Sequence, residues 1–325
     1  MTQLNIGVIG IGAFGSRVAL RLLWSGYHTL QIYDVADVAT RLFTNDYGGM
    51  ATGSPKMMAQ TCDAIIAVLP SAAELREVCF GWEGLAKGFA EGGILIDLGT
   101  TDPVATVDLA KELAARGTDL IAAPAFGTPA EAKEGKLTLV VGGPEAAIAR
   151  CRPVLEKLGR ILEAGAAGAA QAARAIADYL RAAQILAASE AIRLGERFGC
   201  EPAAMLDLAE ALGSADLGAT LRREVVTRRF DTGLQLGIVR RNLELAARLA
   251  AAADLNSPLI AATLAAWSAA EAKLGYGADH TAIIKWLETL PKAEDGRQTT
   301  EDGDRMTGEA RHANLTSDIR TGSTP

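Results

Sequence analysis

Positive charge, histidine and long apolar runs are all in short supply in this chain of 325 residues. Each shortage removes a class of function. Lys and Arg number 32 against 39 Asp and Glu, a formal net charge of −7, and no basic block offsets it. Nucleic-acid binding is therefore not expected. Only three histidines occur, His28, His280 and His312, so no metal site built on histidine is expected. No apolar run reaches the length of a membrane span, and no basic region followed by an apolar core opens the chain. Neither a membrane partner nor a secretory signal is expected. The four cysteines, Cys62, Cys79, Cys151 and Cys200, are scattered without C-x-x-C pairs. They read as reduced, mostly structural thiols in a cytoplasmic protein.

What is present is ample apolar character, 49% of residues, in a length that accommodates two domains. The stretch from Asn5 to Asp34 organises the rest. Ile6 to Ile9 is a short apolar run suited to a buried strand. Gly10, Gly12 and Gly15 follow in G-x-G-x-x-G spacing, with Val18, Ala19, Leu22 and Leu23 on one helical face behind them. A second apolar run, Leu30 to Tyr33, ends in Asp34. Strand, glycine turn, helix, strand and acid is the order a dinucleotide site requires. Gly10 permits the tight turn, Gly12 lets bare backbone approach a pyrophosphate, and Gly15 lets helix pack on strand. The helix N-terminus offers free N–H groups and its positive dipole end to the phosphates. Asp34 would accept hydrogen bonds from the adenine ribose and repel a 2′-phosphate, and the next base is Arg41. NAD is expected, with NADP disfavoured.

Further short branched runs follow at Ala64–Leu69, Ile94–Leu98, Leu120–Ala123, Leu137–Val141 and Arg160–Glu163. The first of these closes on Pro70-Ser71 and the second on Gly99-Thr100-Thr101, strand ends of the kind that face a ligand crevice. Helical periodicity lies between them. This alternation predicts a doubly wound, mostly parallel sheet over residues 1–164. From Gly165 the composition changes to alanine and leucine, and no strand is expected up to Leu290. Helices are expected over Ala169–Phe198, Pro202–Leu212, Leu217–Arg228, Leu236–Ala253, Pro258–Leu274 and Thr281–Leu290, with glycine and proline breakers between them. The expected fold is therefore α/β: an N-terminal Rossmann sheet followed by an all-α C-terminal domain, residues 165–292. Apolar surface on so many helices points to a homodimer or higher homo-oligomer. Residues 293–325 are polar and are expected to form a disordered tail.

Four segments together resemble the β-hydroxyacid dehydrogenases, the group that contains 3-hydroxyisobutyrate dehydrogenase and is related to 6-phosphogluconate dehydrogenase. They are the glycine turn GVIGIGAFGSRVALRLLWSG, the turn DLGTTDP at Asp97–Pro103, the stretch APAFGTPAEAKEGKLTLVVGG at Ala123–Gly143, and the glycine-led helix Gly165–Glu190. The stretch FDTGLQLGIVRRNLELA and residues Gly277–Leu287 also follow the family. The resemblance implies cofactor contacts at Gly10, Gly12, Ala13, Phe14, Gly15, Asp34, Leu69, Pro70 and Thr100. It implies substrate contacts at Thr100, Phe126, Gly127, Arg241 and Asn242.

The same resemblance exposes departures. The family carries a lysine acid/base and, four residues later, an asparagine on the interdomain helix; here those positions hold Arg174 and Asp178. Phe126 stands where the family has a carboxylate-binding serine, and Arg241-Asn242 where it has a Lys-Asp pair. Arginine anchors anions but shuttles protons poorly, so Arg174 is expected to hold the substrate oxygen and Asp178 to move the proton. The implied activity is hydride transfer between a nicotinamide cofactor and a small hydroxy acid or an atypical alcohol or carbonyl substrate. Two alternatives are an imine reductase with Asp178 as proton donor and a non-catalytic cofactor-binding protein.

Overall fold

The computed structural model describes residues 4–211 and 221–291. The polar segment 293–325 and most of the first half of the helix expected over Leu217–Arg228 lie outside the described residues. The chain divides into two compact units, Met1–Ala177 and Asp178–Pro325.

In the first unit, continuous apolar runs become the strands that are buried on both faces. These are β1 (Ile6–Ile9), β4 (Ala64–Ala67) and β5 (Gly93–Asp97), every residue of which is buried. They are flanked by β2 (Gln31–Tyr33), β3 (Met50–Ala51), β6 (Thr118–Ala122), β7 (Ala125–Phe126), β8 (Leu137–Gly142) and β9 (Gly159–Gly165). The order is β3-β2-β1-β4-β5-β6-β8-β7, with β9 also paired to β8. Strands β1 to β6 are parallel in the doubly wound order; β8 runs antiparallel to β6 and β7. The order reverses between β1 and β4, so the C-terminal ends of those two strands open the ligand crevice.

Helices cover the sheet where capping chemistry starts them. Helix α1 (Gly15–Trp24) turns Val18, Ala19, Leu22 and Leu23 inward, as the periodicity requires. Two helices absent from the sequence reading follow, α2 (Asp37–Tyr47) and α3 (Pro55–Ala59). The first buries only Thr40 and Phe43 and leaves Val38 and Leu42 exposed, so its apolar pattern does not mark its inner face. Helix α4 (Ala72–Phe80) starts at Ser71, and α5 (Pro103–Ala114) at Asp102, whose carboxylate accepts the N–H of Val104 and Ala105. A capping box, Thr128 with Glu131, opens the short α6 (Pro129–Glu134), and left-handed Gly135 closes it. Helix α7 (Glu145–Leu158) completes the cover.

Helix α8 (Ala167–Arg197) spans the division: its first turns belong to the first unit and the remainder to the second. The second unit continues with α9 (Pro202–Ala211), α10 (Leu236–Ala252), α11 (Pro258–Leu274) and α12 (Ile283–Thr289). Ile185, Ile192, Leu236, Leu243, Trp267 and Ile283 form the centre of its core. Its described residues contain no strand, only an isolated bridge between Gln235 and Asp279. Within the segment expected as a regular helix, Arg222–Val226 is wound as a π-helix. That wider turn carries Glu224, fully buried, whose carboxylate accepts the N–H of Asp231 at 2.9 Å. No helix among the described residues is long and apolar enough to cross a membrane.

Candidate active site

The glycine turn is shaped by contacts no side chain would tolerate. Gly10 sits at φ 91°, and its N–H donates to the Tyr33 carbonyl at 2.9 Å. A Cβ on Gly10 would lie 2.3 Å from the Val68 carbonyl oxygen at the end of β4, and one on Gly15 would lie 1.8 Å from the Gly10 oxygen. Gly12 differs: a Cβ there would meet nothing within 4 Å. Packing within the protein therefore does not require glycine at this position. The N–H groups of Ala13 and Phe14 find no backbone acceptor among the described residues, and Phe14 provides no side-chain cap. An open glycine beside unpartnered N–H groups at a helix start fits a pyrophosphate. Leu69 packs beside this turn on the core below α4, and Pro70 is exposed next to it.

Asp34 has a second duty that the sequence did not reveal. Its Oδ2 accepts the Ile11 N–H at 2.7 Å and its Oδ1 the Ala36 N–H at 2.8 Å, tying the glycine turn to the end of β2. Each oxygen keeps a further lone pair for ribose hydroxyls.

On the other side of the crevice, β5 ends in Asp97, which is only 1% exposed. Its Oδ1 accepts the Gly99 N–H at 2.8 Å, and Thr101 Oγ1 lies 3.2 Å from its Oδ2. Gln171, in the first turns of α8, is wholly buried against this turn. Its Oε1 accepts the Thr101 N–H at 3.1 Å; its Nε2 donates to the Gly99 carbonyl at 3.0 Å and to Asp97 Oδ2 at 3.3 Å. The half-buried Thr100 rides on this tied turn. Nothing in the sequence reading singled out Gln171.

Arg174, three residues along α8, donates to the Ala125 carbonyl, and its guanidinium lies 4.0 Å from the centre of the Phe126 ring. Phe126 thus serves as a shelf for Arg174. The neighbouring Gly127 is exposed at φ 141°. In the second unit, the Asp178 carboxylate accepts Asn242 Nδ2 at 2.8 Å, from α10. Asn242 is buried and Arg241 half-buried. Cysteine plays no visible part: Cys62, Cys79 and Cys151 are free and buried, which pushes their thiols up to about 12. Among the described residues no group of three or more His, Cys, Asp or Glu could hold a metal ion.

The profile described as the NAD binding domain of 6-phosphogluconate dehydrogenase matches residues 5–176, more than half of the chain. The chain belongs to the β-hydroxyacid dehydrogenase family. A second profile, described as NAD-binding of NADP-dependent 3-hydroxyisobutyrate dehydrogenase, matches residues 168–287. Among the dehydrogenase's relatives, 2-hydroxy-3-oxopropionate reductase of Escherichia coli (strain K12) is 28% identical over 289 residues, 88% of this chain and 98% of that protein. Mitochondrial 3-hydroxyisobutyrate dehydrogenase of Bos taurus is 36% identical over 198 residues, 61% of this chain and 58% of that protein. The solved structure of Mycobacterium tuberculosis 3-hydroxyisobutyrate dehydrogenase with L-serine shares the fold. Its TM-score is 0.81 at 23% identity, covering 88% of this chain and 99% of that one. The dehydrogenase is an NAD(P)-dependent oxidoreductase of the 3-hydroxyisobutyrate dehydrogenase type.

Proposed function

We propose that this dehydrogenase uses NAD to interconvert an alcohol and a carbonyl on a small organic acid, with Arg174 and Asp178 in place of the family's lysine and asparagine. The bound nicotinamide ring supplies or accepts the hydride. The observation that carries the reading is the fixed guanidinium: Arg174 is held by the Ala125 carbonyl and the Phe126 face. A planar, permanently charged group held in this way can orient a carboxylate or stabilise an alkoxide, and it does not release its proton. The proton therefore needs a separate carrier. Asp178, one helical turn beyond and held by Asn242, is the carboxylate on the same helix suited to that task. Thr100 and Gly127 would line the substrate beside Phe126. Asp34 favours NAD by repelling a 2′-phosphate.

The test follows nicotinamide absorbance against short 3-hydroxy acids with NAD, and against cyclic imines with NADH. Turnover of a hydroxy acid that falls at least 100-fold in Asp178→Asn, while NADH still binds, is the expected result. Undiminished turnover in that variant would remove Asp178 from the mechanism. Turnover of imines alone would make the protein an imine reductase, and silence on both panels with NADH bound would leave a different substrate class or no catalysis.

A further inference from the structure

Away from the cofactor site, the loop at residues 231–234 of the helical unit is held by Glu224, Asp279 and His280. The Asp231 N–H donates to Glu224 Oε2 at 2.9 Å, and Glu224 is fully buried. Thr232 Oγ1 donates to Asp279 Oδ2 at 2.6 Å and lies 3.0 Å from His280 Nδ1. The Leu234 N–H donates to Thr232 Oγ1 at 3.3 Å, and the Leu234 carbonyl accepts the His280 N–H at 2.9 Å. The loop leads straight into α10, whose Leu236 N–H donates to the Ala278 carbonyl beside Asp279.

The directions of these bonds fix the state of the histidine. Asp279 only accepts: its Oδ2 takes the Thr232 hydroxyl, and its Oδ1 takes the Thr281 N–H at 2.9 Å and the Thr281 hydroxyl at 2.5 Å. Thr232 has one proton, and Asp279 receives it. One lone pair of Thr232 Oγ1 is taken by the Leu234 N–H. The remaining contact, with His280 Nδ1, needs a proton from the ring, so Nδ1 is the donor. In a neutral imidazole Nε2 is then the bare nitrogen. His280 is only 3% exposed, and Nε2 has no hydrogen-bond partner among the described residues. A second proton would put a cation in the interior with its new N–H facing no acceptor.

We infer that His280 is an acid-sensitive clasp: neutral, it ties the loop 231–234 to the Asp279 turn through Nδ1, and on taking a second proton it swings out and releases the loop. The charges around the ring do not cancel the cost of burying a cation. Asp279, with Oδ1 3.6 Å from Nδ1, favours the charged ring, as does Glu224 from the π-helix, and Arg181 from α8 opposes it. Both carboxylates are already engaged, Asp279 by its three donors and Glu224 by Asp231 and by Arg223 Nε at 2.5 Å. Burial outweighs them and holds the His280 ring below its ordinary value. Burial also works to raise the Asp279 carboxyl, but the bonds from Thr232 and Thr281 overcome it and hold that group below its ordinary range. Asp279 therefore stays ionised while the histidine responds. A released loop exposes an imidazole of ordinary affinity, about 6.5, so falling pH favours release and rising pH favours the clasp. One pH unit below that value, release is favoured about 10-fold more than at pH 7.5.

Two measurements test the inference. Nitrogen NMR of the wild-type protein at about pH 7.5 reads the ring directly, because the chain has only three histidines. The signal that vanishes in His280→Asn should carry its proton on Nδ1, and in the wild type that ring should remain neutral below about pH 6.5. A proton on Nε2 alone, or a ring that charges at an ordinary pH, would overturn the inference. The second measurement is hydrogen exchange by mass spectrometry between about pH 7.5 and about pH 5.5, corrected for the intrinsic exchange rate. Protection of residues 231–237 should fall about 10-fold in wild type while that of α11 holds. His280→Asn keeps an N–H at the Nδ1 position and cannot titrate, so its protection should stay constant over the same range. Constant protection in wild type, or an equal fall in His280→Asn, would show that the loop does not answer to this ring.

Discussion

Gly12 and Gly15 lie three residues apart, yet the same substitution should act on them in opposite ways. A methyl group on Gly15 would drive into the Gly10 carbonyl, which is backbone and cannot swing aside. Gly15→Ala should lower the free energy of unfolding by at least about 1–3 kcal/mol, read from urea melts. A methyl group on Gly12 meets empty space. Gly12→Ala should therefore leave the urea midpoint nearly unchanged and weaken NADH binding about 10-fold or more, because the new group stands where the pyrophosphate approaches. Equal NADH affinity in wild type and Gly12→Ala would place the phosphates elsewhere. Asp34 sits between these two kinds of residue, since it shapes the turn through Ile11 and Ala36 and is proposed to hold the cofactor ribose. A stability assay alone would misread it.

At the scale of elements, the joint between β5, the turn after it and α8 makes stability depend on pH. The Asp97 carboxyl is raised from its ordinary 3.8 to about 7 by burial. Between those values the folded chain holds a proton that the unfolded chain has released, so raising the pH through this window favours unfolding. The contribution is complete below about pH 4 and lost as pH passes about 7. A difference of about 3 in pKa, at about 1.4 kcal/mol each, sets a ceiling of about 4 kcal/mol. Urea unfolding between pH 5 and about pH 7.5 should show wild type losing stability while Asp97→Asn loses less. Parallel profiles would mean that Asp97 ionises freely. This joint also marks how far sequence reading reaches. The strands β1, β4 and β5 were legible because burial on both faces makes them unbroken apolar runs, and Gly10 because its turn excludes a side chain. Helix α2 was not, because it buries a threonine and a phenylalanine and turns Val38 and Leu42 to water. Gln171 and Asp97 are 74 positions apart and meet only through the fold. Nothing local marks either as half of a pair, and the Phe126 shelf under Arg174 is hidden for the same reason.

At the scale of the whole molecule, α8 poses a question of assembly. Its 31 residues extend about 45 Å, and in the second unit one side packs into the core through Ala182, Ile185 and Ile192. Another side is apolar and uncovered: Leu180, Ala187 and Leu194 recur every seven residues, with Ala191 beside them, and all four are exposed. Leu180 and Leu194 expose 56% and 62% of their surface. A lone exposed leucine needs no explanation, but a seam at heptad spacing with alanine between leucines lets a second helix approach closely. A second copy of this chain can supply such a helix. Sedimentation velocity at about 10 μM should find a dimer or larger oligomer, a size at which stable interfaces bury about 1,600 Å². Leu180→Glu combined with Leu194→Glu should yield monomers whose far-ultraviolet circular dichroism is unchanged, because both side chains already face water in the isolated chain. Monomeric wild-type protein would show that the seam is only solvated surface. Oligomers that survive both substitutions would move the contact to another face of the helical unit.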